Sequence, residues 1–216
     1  KVLDFIASHP FETMGKKSVL LAPTGRAAKV LSAYSGKNAS TIHKGIYRQR
    51  SAADTFGVFV IGKNLYSDTL FVVDEASMIS NQTGENNVFG SGRLLDDLIH
   101  YVRNEQHCNL IVIGDTAQLP PVGTSLSPAL DKTVLQRYYA ETEEIELTDV
   151  VRQSQQSGIL VNATLIRNNI IRNIPEIPKF LVRDFQDIHP IAGSDLTEQI
   201  NRSYDSAGIE NTIVIC

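Results

Sequence analysis

The chain has 216 residues, 42% of them hydrophobic and 20% charged, the balance of a folded globular protein. No apolar run approaches the roughly 18 residues that span a bilayer, so no membrane partner is expected, and the two cysteines read as thiols of a reducing cytoplasm. A net charge of −4 and a pI near 5.7 argue against a broad basic surface that coats nucleic acid, and leave open a narrow track that grips one strand.

Lys1–Pro10 lacks a signal-peptide pattern, because Asp4 breaks its apolar stretch. Four apolar runs follow along the chain: Ser18–Ala22, Leu70–Val73, Leu110–Ile113 and Thr212–Ile215. They do not alternate with polar residues, which suits strands buried on both faces of a parallel sheet. Helical spacing covers Arg26–Tyr34, Gly92–Asn104 and Gly158–Arg172, with Leu94, Leu95, Leu98, Ile99 and Val102 marking the second. Between them, Gly57–Tyr66 reads as a short strand or hairpin, Asn81–Gly92 as a flexible loop and Glu144–Leu147 as strand-like. Strand and helix in alternation indicate an α/β fold. Two prolines in Ile174–Pro178 mark a domain boundary, followed by a helix around Asp195–Ser206. Cys108 and Cys216 border apolar runs and read as buried thiols.

Polar groups follow three of the runs: Pro23–Arg26, Asp74–Glu75 and Gly114–Gln118. Ligands of open parallel sheets bind beyond the carboxyl ends of the strands. An apolar strand ending in two adjacent carboxylates suits Mg²⁺, which needs few protein ligands, and activation of an attacking water. Gly114 allows close backbone approach, Asp115 and Gln118 project from the turn, and Pro120 and Pro121 stiffen the loop. A neutral amide such as Gln118 can donate to a phosphate oxygen and accept from a water.

In order along the chain, Leu20–Lys29, Ala39–Lys44, Asp74–Met78, Gly114–Val122 and Leu147–Gln153 resemble the motifs of superfamily-one 5′→3′ DNA helicases of the RecD-like type. That resemblance implies a RecA-like P-loop NTPase fold, with a parallel sheet and helices on both faces. It implies ATP and Mg²⁺ as cofactors, with Asp74 holding the metal, Glu75 activating water, Gln118 sensing the γ-phosphate and Arg152 acting as an arginine finger. Thr24, Arg26, His43 and Pro120 would lie along single-stranded DNA. The partners implied are single-stranded DNA and other subunits of a recombination nuclease complex, in repair or recombination.

One element of that family is missing from the 216 residues: no segment has the form G-x-x-x-x-G-K-[ST]. Met14–Ser18 resembles its tail, but Lys17 stands where Ser or Thr is needed, so the segment reads as a turn. Lys1–Ser8 then reads as the end of the helix that follows such a loop. The expectation is a fragment: residues 1–176 as a partial first RecA-like domain, and 177–216 as the opening of a second. A family hairpin that splits the duplex has one candidate, Gly57–Tyr66. The alternatives are a DNA-binding or scaffold module that kept the fold without the ATPase, and a P-loop NTPase acting on RNA or another substrate.

Overall fold

The computed structural model describes residues 17–50, 57–84, 87–105, 107–147, 157–172 and 177–215. Lys1–Ser8, most of Met14–Ser18, Arg152 with its neighbours, three of the residues of Ile174–Pro178, and Cys216 lie outside the described residues. The chain divides into two compact units between Ile145 and Glu146, ahead of the 176/177 boundary expected from the prolines.

The first unit is built on a parallel sheet of four strands, β1 (Lys17–Ala22), β2 (Ala39–Thr41), β5 (Thr69–Val73) and β6 (Asn109–Val112), in the order β2-β1-β5-β6. Register is set by pairs such as Leu21 with Ser40, Leu21 with Val73, and Val73 with Val112. The strands alternate sides. Leu20, Leu70 and Val72 pack with Leu31 of α1 (Gly25–Ser35) on one face. Leu21, Phe71 and Val73 pack on the other with Ile42 and Ile46 of α2 (Ile42–Ile46) and Leu95, Leu98 and Val102 of α3 (Leu94–Arg103). This is an α/β, P-loop NTPase-like sheet with helices on both faces, the architecture expected from the sequence.

Each helix has a local cause. Thr24 is the N-cap of α1 and accepts from the Ala27 N–H at 3.2 Å. Asp96 and Asp97 stand in the first turn of α3, with His100 and Arg103 in its last, the polarity that the helix dipole favours. A second, antiparallel pair joins β3 (Tyr47–Gln49) to β4 (Phe59–Ile61), so the expected hairpin includes residues ahead of Gly57. The loop expected at Asn81–Gly92 is anchored. Phe89 stacks on Phe59 at 4.6 Å, and Asp97 accepts from the Ser91 N–H, the Ser91 hydroxyl and the Tyr47 hydroxyl.

Four expectations need correction. β6 lies at an edge of the described sheet and is not buried on both faces; Ile111, which pairs with Val72, is 37% exposed. Thr212–Ile215 forms no strand: no described strand pairs with it, and its isoleucines stay exposed. Glu144–Leu147 is irregular for the same reason. Cys108 is only partly buried, its thiol reaching the Tyr66 carbonyl at 3.4 Å.

The second unit holds α5 (Gly158–Ile171) and α6 (Leu196–Ala207). The short α4 (Lys132–Leu135) belongs to the first. At the start of α5, Ser157 caps the Leu160 N–H, while Asp187 accepts from the Ser157 hydroxyl and from the N–H groups of Gly158 and Ile159. Asn162 pairs with both backbone groups of Leu181. These bonds bind residues 181–187 to α5, which explains why the helix and the chain after the prolines fall in one unit.

Candidate nucleotide site

All four strands of the sheet are parallel, so the residues that follow them meet at one edge. The Asp74 N–H bonds the Leu21 carbonyl at 3.0 Å, and the Ile113 N–H bonds the Val73 carbonyl at 2.8 Å. Thr24, Asp74, Glu75 and the loop from Gly114 therefore stand beyond the same carboxyl ends.

Asp74 and Glu75 are both half-buried. Glu75 adopts a left-handed backbone, φ 55° and ψ 39°, which turns the chain at once into a 3₁₀ turn, Ala76–Met78. A non-glycine residue pays about 1–2 kcal/mol to sit there. Strain of this kind persists only where surrounding bonds over-determine it, and they do here. The Ala76 N–H bonds the Ile113 carbonyl at 2.9 Å, and the buried Ser127 hydroxyl lies 2.7 and 2.8 Å from the carbonyls of Ala76 and Ile79.

Gly114 stands where the two loops pack tightly. A Cβ there would stand 2.9 Å from a Leu130 methyl and 3.0 Å from the Ser77 nitrogen. Beyond it Asp115 accepts from the Ala117 N–H at 2.9 Å, and the Gln118 N–H bonds the Asp115 carbonyl at 3.1 Å. The Gln118 side chain is exposed and accepts from the Ser77 hydroxyl at 3.1 Å. Farther on, Pro120 is half-buried, and Thr124 fixes the Pro121 carbonyl, while Leu119 and Val122 are 88% and 97% exposed.

Among the described residues no group of three or more His, Cys, Asp or Glu side chains could cage a metal. Two adjacent carboxylates at a sheet edge fit a hydrated Mg²⁺ that arrives with phosphate oxygens, since such an ion takes one or two protein carboxylates.

The remaining expected residues are dispersed. The Thr24 hydroxyl oxygen caps α1 by accepting from the Ala27 N–H. Arg26 is exposed on the first turn of that helix. His43 sits edge-on to Phe89 at 4.9 Å and 5.6 Å from Tyr47, and burial lowers its pKa, which favours the neutral ring. Arg152 lies outside the described residues. A cavity of about 540 Å³ beside β2 is lined in part by Lys29, Asn38, Thr41, Lys44 and Arg48, and includes neither Asp74 nor Gln118. Sequence reasoning assigned no role to Ser77 or Ser127; the one available signal was a small hydroxyl residue within Asp74–Met78.

One similar solved structure comes from a study titled as the structural basis for DNA unwinding at forked dsDNA by two coordinating Pif1 helicases; it is 20% identical, with a TM-score of 0.40 over 77% of this chain. The present chain spans 40% of the length of that one. A family model described as an AAA domain matches residues 2–174, most of the chain, and the chain accordingly belongs to the AAA-domain family.

Proposed function

We propose that this chain is part of an ATP-driven DNA helicase of the RecD-like type, which couples ATP hydrolysis to movement along single-stranded DNA. The observation that carries the reading is the convergence of Asp74, Glu75 and Gln118 at one edge of the sheet, on loops joined by the Ala76–Ile113 backbone bond. Asp74 is the residue that would hold Mg²⁺, which, when bound with ATP, neutralises charge building on the β- and γ-oxygens. Glu75 takes the proton of the attacking water. Gln118 donates to the γ-phosphate, and its amide adds no charge when the phosphate leaves. Arg152 is assigned by resemblance as the arginine finger. Thr24, Arg26, His43 and Pro120 are assigned to the DNA path in the same way, as are a role in recombination or repair, the partner subunits and the division into two RecA-like domains. Of the path residues, Arg26 has the exposure a phosphate contact needs.

The second reading, a DNA-binding or scaffold module without ATPase activity, draws on one observation: the 216 residues contain no G-x-x-x-x-G-K-[ST] segment. The loop's lysine and N–H groups supply most β- and γ-phosphate binding. Purified 1–216 is therefore expected to hydrolyse no ATP above background, with or without DNA.

The deciding experiment uses a protein carrying this chain together with a phosphate-binding loop. Glu75→Gln keeps the size and hydrogen bonding of the side chain and removes the base. The expected result is loss of turnover with nucleotide binding retained. Retained turnover with lost affinity would make Glu75 a structural acid, whereas absence of turnover before any substitution would favour the scaffold reading.

A further inference from the structure

We infer that Ser77 is a positioning residue that sets which end of the Gln118 amide faces a bound nucleotide; this rests on the reading of Gln118 as the group that meets the γ-phosphate. The Ser77 side chain is 2% exposed, whereas Gln118 is exposed, and the two meet at 3.1 Å. Ser77 is held independently of Gln118. Its backbone nitrogen lies against Gly114, its neighbour Ala76 is bonded to Ile113, and Ser127 fastens the carbonyls of Ala76 and Ile79. The Gln118 side chain has no such frame. Among the described residues its one hydrogen bond is to Ser77.

The chemistry of the amide makes that bond a selector. A carboxamide has an acceptor oxygen at one end and two N–H donors at the other. A terminal phosphate oxygen at neutral pH is an acceptor, so only the N–H end can meet it favourably. The buried Ser77 hydroxyl needs an acceptor, and Gln118 Oε1 is the one within reach among the described residues. Once Oε1 is engaged, the N–H end is the end left for a phosphate. With the amide reversed, the hydroxyl proton would be stranded and the oxygen would face the anion. Ser77 is two residues from Glu75, so the same bond joins the water-activating turn to the phosphate-sensing loop.

Two measurements test this. In the 216-residue chain without nucleotide, the Gln118 side-chain amide resonances are expected to be dispersed, and Ser77→Ala to move them toward random-coil positions. Unchanged resonances would overturn the hydrogen bond itself. In a protein carrying this chain with a phosphate-binding loop, Ser77→Ala is expected to lower kcat about three- to tenfold, the scale of one hydrogen bond. KM for ATP·Mg²⁺ and the melting temperature should stay close to wild type. A double-mutant cycle gives the decisive readout, because Ser77→Ala should cost nothing further once Gln118→Ala is present. Additive losses, or full kcat in Ser77→Ala beside an impaired Gln118→Ala, would overturn the positioning role. Full kcat in Gln118→Ala would overturn the phosphate-sensor reading, with the amide resonances still reporting whether Ser77 orients the side chain.

Discussion

In the first unit, Phe71, Leu98 and Val102 are sealed between the sheet and its helices, each at most 1% exposed. In the second, the buried residues among those described are Gly158 and Asn162, while Ile159, Leu165 and Ile170 of α5 are 50%, 44% and 60% exposed. Among the described residues, one unit is held by apolar burial, and the other mainly by directed bonds at a helix start. Fully burying a large apolar side chain contributes about 1.5–3 kcal/mol, and a hydrogen bond nets about 0.5–1.5 kcal/mol. The two units therefore differ in how they resist opening, and each can be weakened by a different kind of substitution.

The largest expected effect lies in the core. Leu98→Ala empties a fully buried site and should cost about 3 kcal/mol, within the range for such truncations. Ile159→Ala, on an exposed position of α5, should cost less than about 0.5 kcal/mol. Native-state hydrogen exchange can read both, at the amides of β5 and of α5, without assuming that the units unfold together. Equal losses at the two sites would erase the distinction.

Next comes Asn162, 5% exposed, which does in the second unit what the core does in the first. Its amide donates to the carbonyls of Gly158 and Leu181 and accepts from the Leu181 N–H, in the manner of a paired strand. Asn162→Ala should cost about 1–2 kcal/mol, because the exposed Leu181 backbone can recover some bonding from water. The cost should appear as lost exchange protection at the Leu181 N–H and leave β5 unchanged. Retained protection at Leu181 would mean that another contact holds the segment.

The same contrast explains what could be read from the sequence. Leu70–Val73 was legible as a strand because burial on both faces demands an unbroken apolar run, and β5 is that strand. Leu110–Ile113 carries the same pattern, yet β6 lies at an edge; composition records apolarity, not which neighbours arrive. Thr212–Ile215 fails for the same reason more completely. β2 and β3 have three residues each and include Ser40, Thr41, Arg48 and Gln49, too short and polar to announce themselves. At the candidate site, Asp74, Glu75 and Gln118 were visible as polar groups after apolar runs. The Ser77–Gln118 bond was not, since its partners are 41 residues apart. Nor did anything local mark Asp97, whose role arises only when Tyr47 and Ser91 are brought to it.

A smaller effect distinguishes strain from packing within the first unit. At most positions glycine is less stable than alanine. At Glu75, where φ is 55°, the order should invert, with Glu75→Gly more stable than Glu75→Ala by about 1 kcal/mol. Chemical denaturation of the two variants measures it. Alanine equal to or above glycine would mean that the turn relaxes once the glutamate is gone.

The smallest expected effect concerns the latch at the start of α5. Asp187 is fully exposed, and its carboxyl is lowered to about 2, first by the Ser157 hydroxyl and then by the Gly158 N–H. A carboxylate at a helix N-terminus is also favoured by the helix dipole. The sign follows from the direction of the shift. Because the folded value is depressed, the stabilisation is fully present above the ordinary carboxylate value, about 3.9. It fades as pH falls through about 2, where the folded carboxyl itself takes up a proton. Above that window pH should leave the latch unchanged. Titrating the Gly158 amide resonance in the intact chain should give a midpoint near 2, and Asp187→Asn should remove the transition. A midpoint in the ordinary carboxylate range would show that solvent competes successfully for the carboxylate. The bonds to Ser157 and Gly158 would then add nothing to the hold on α5, leaving Asn162 as its main tether to residues 181–187.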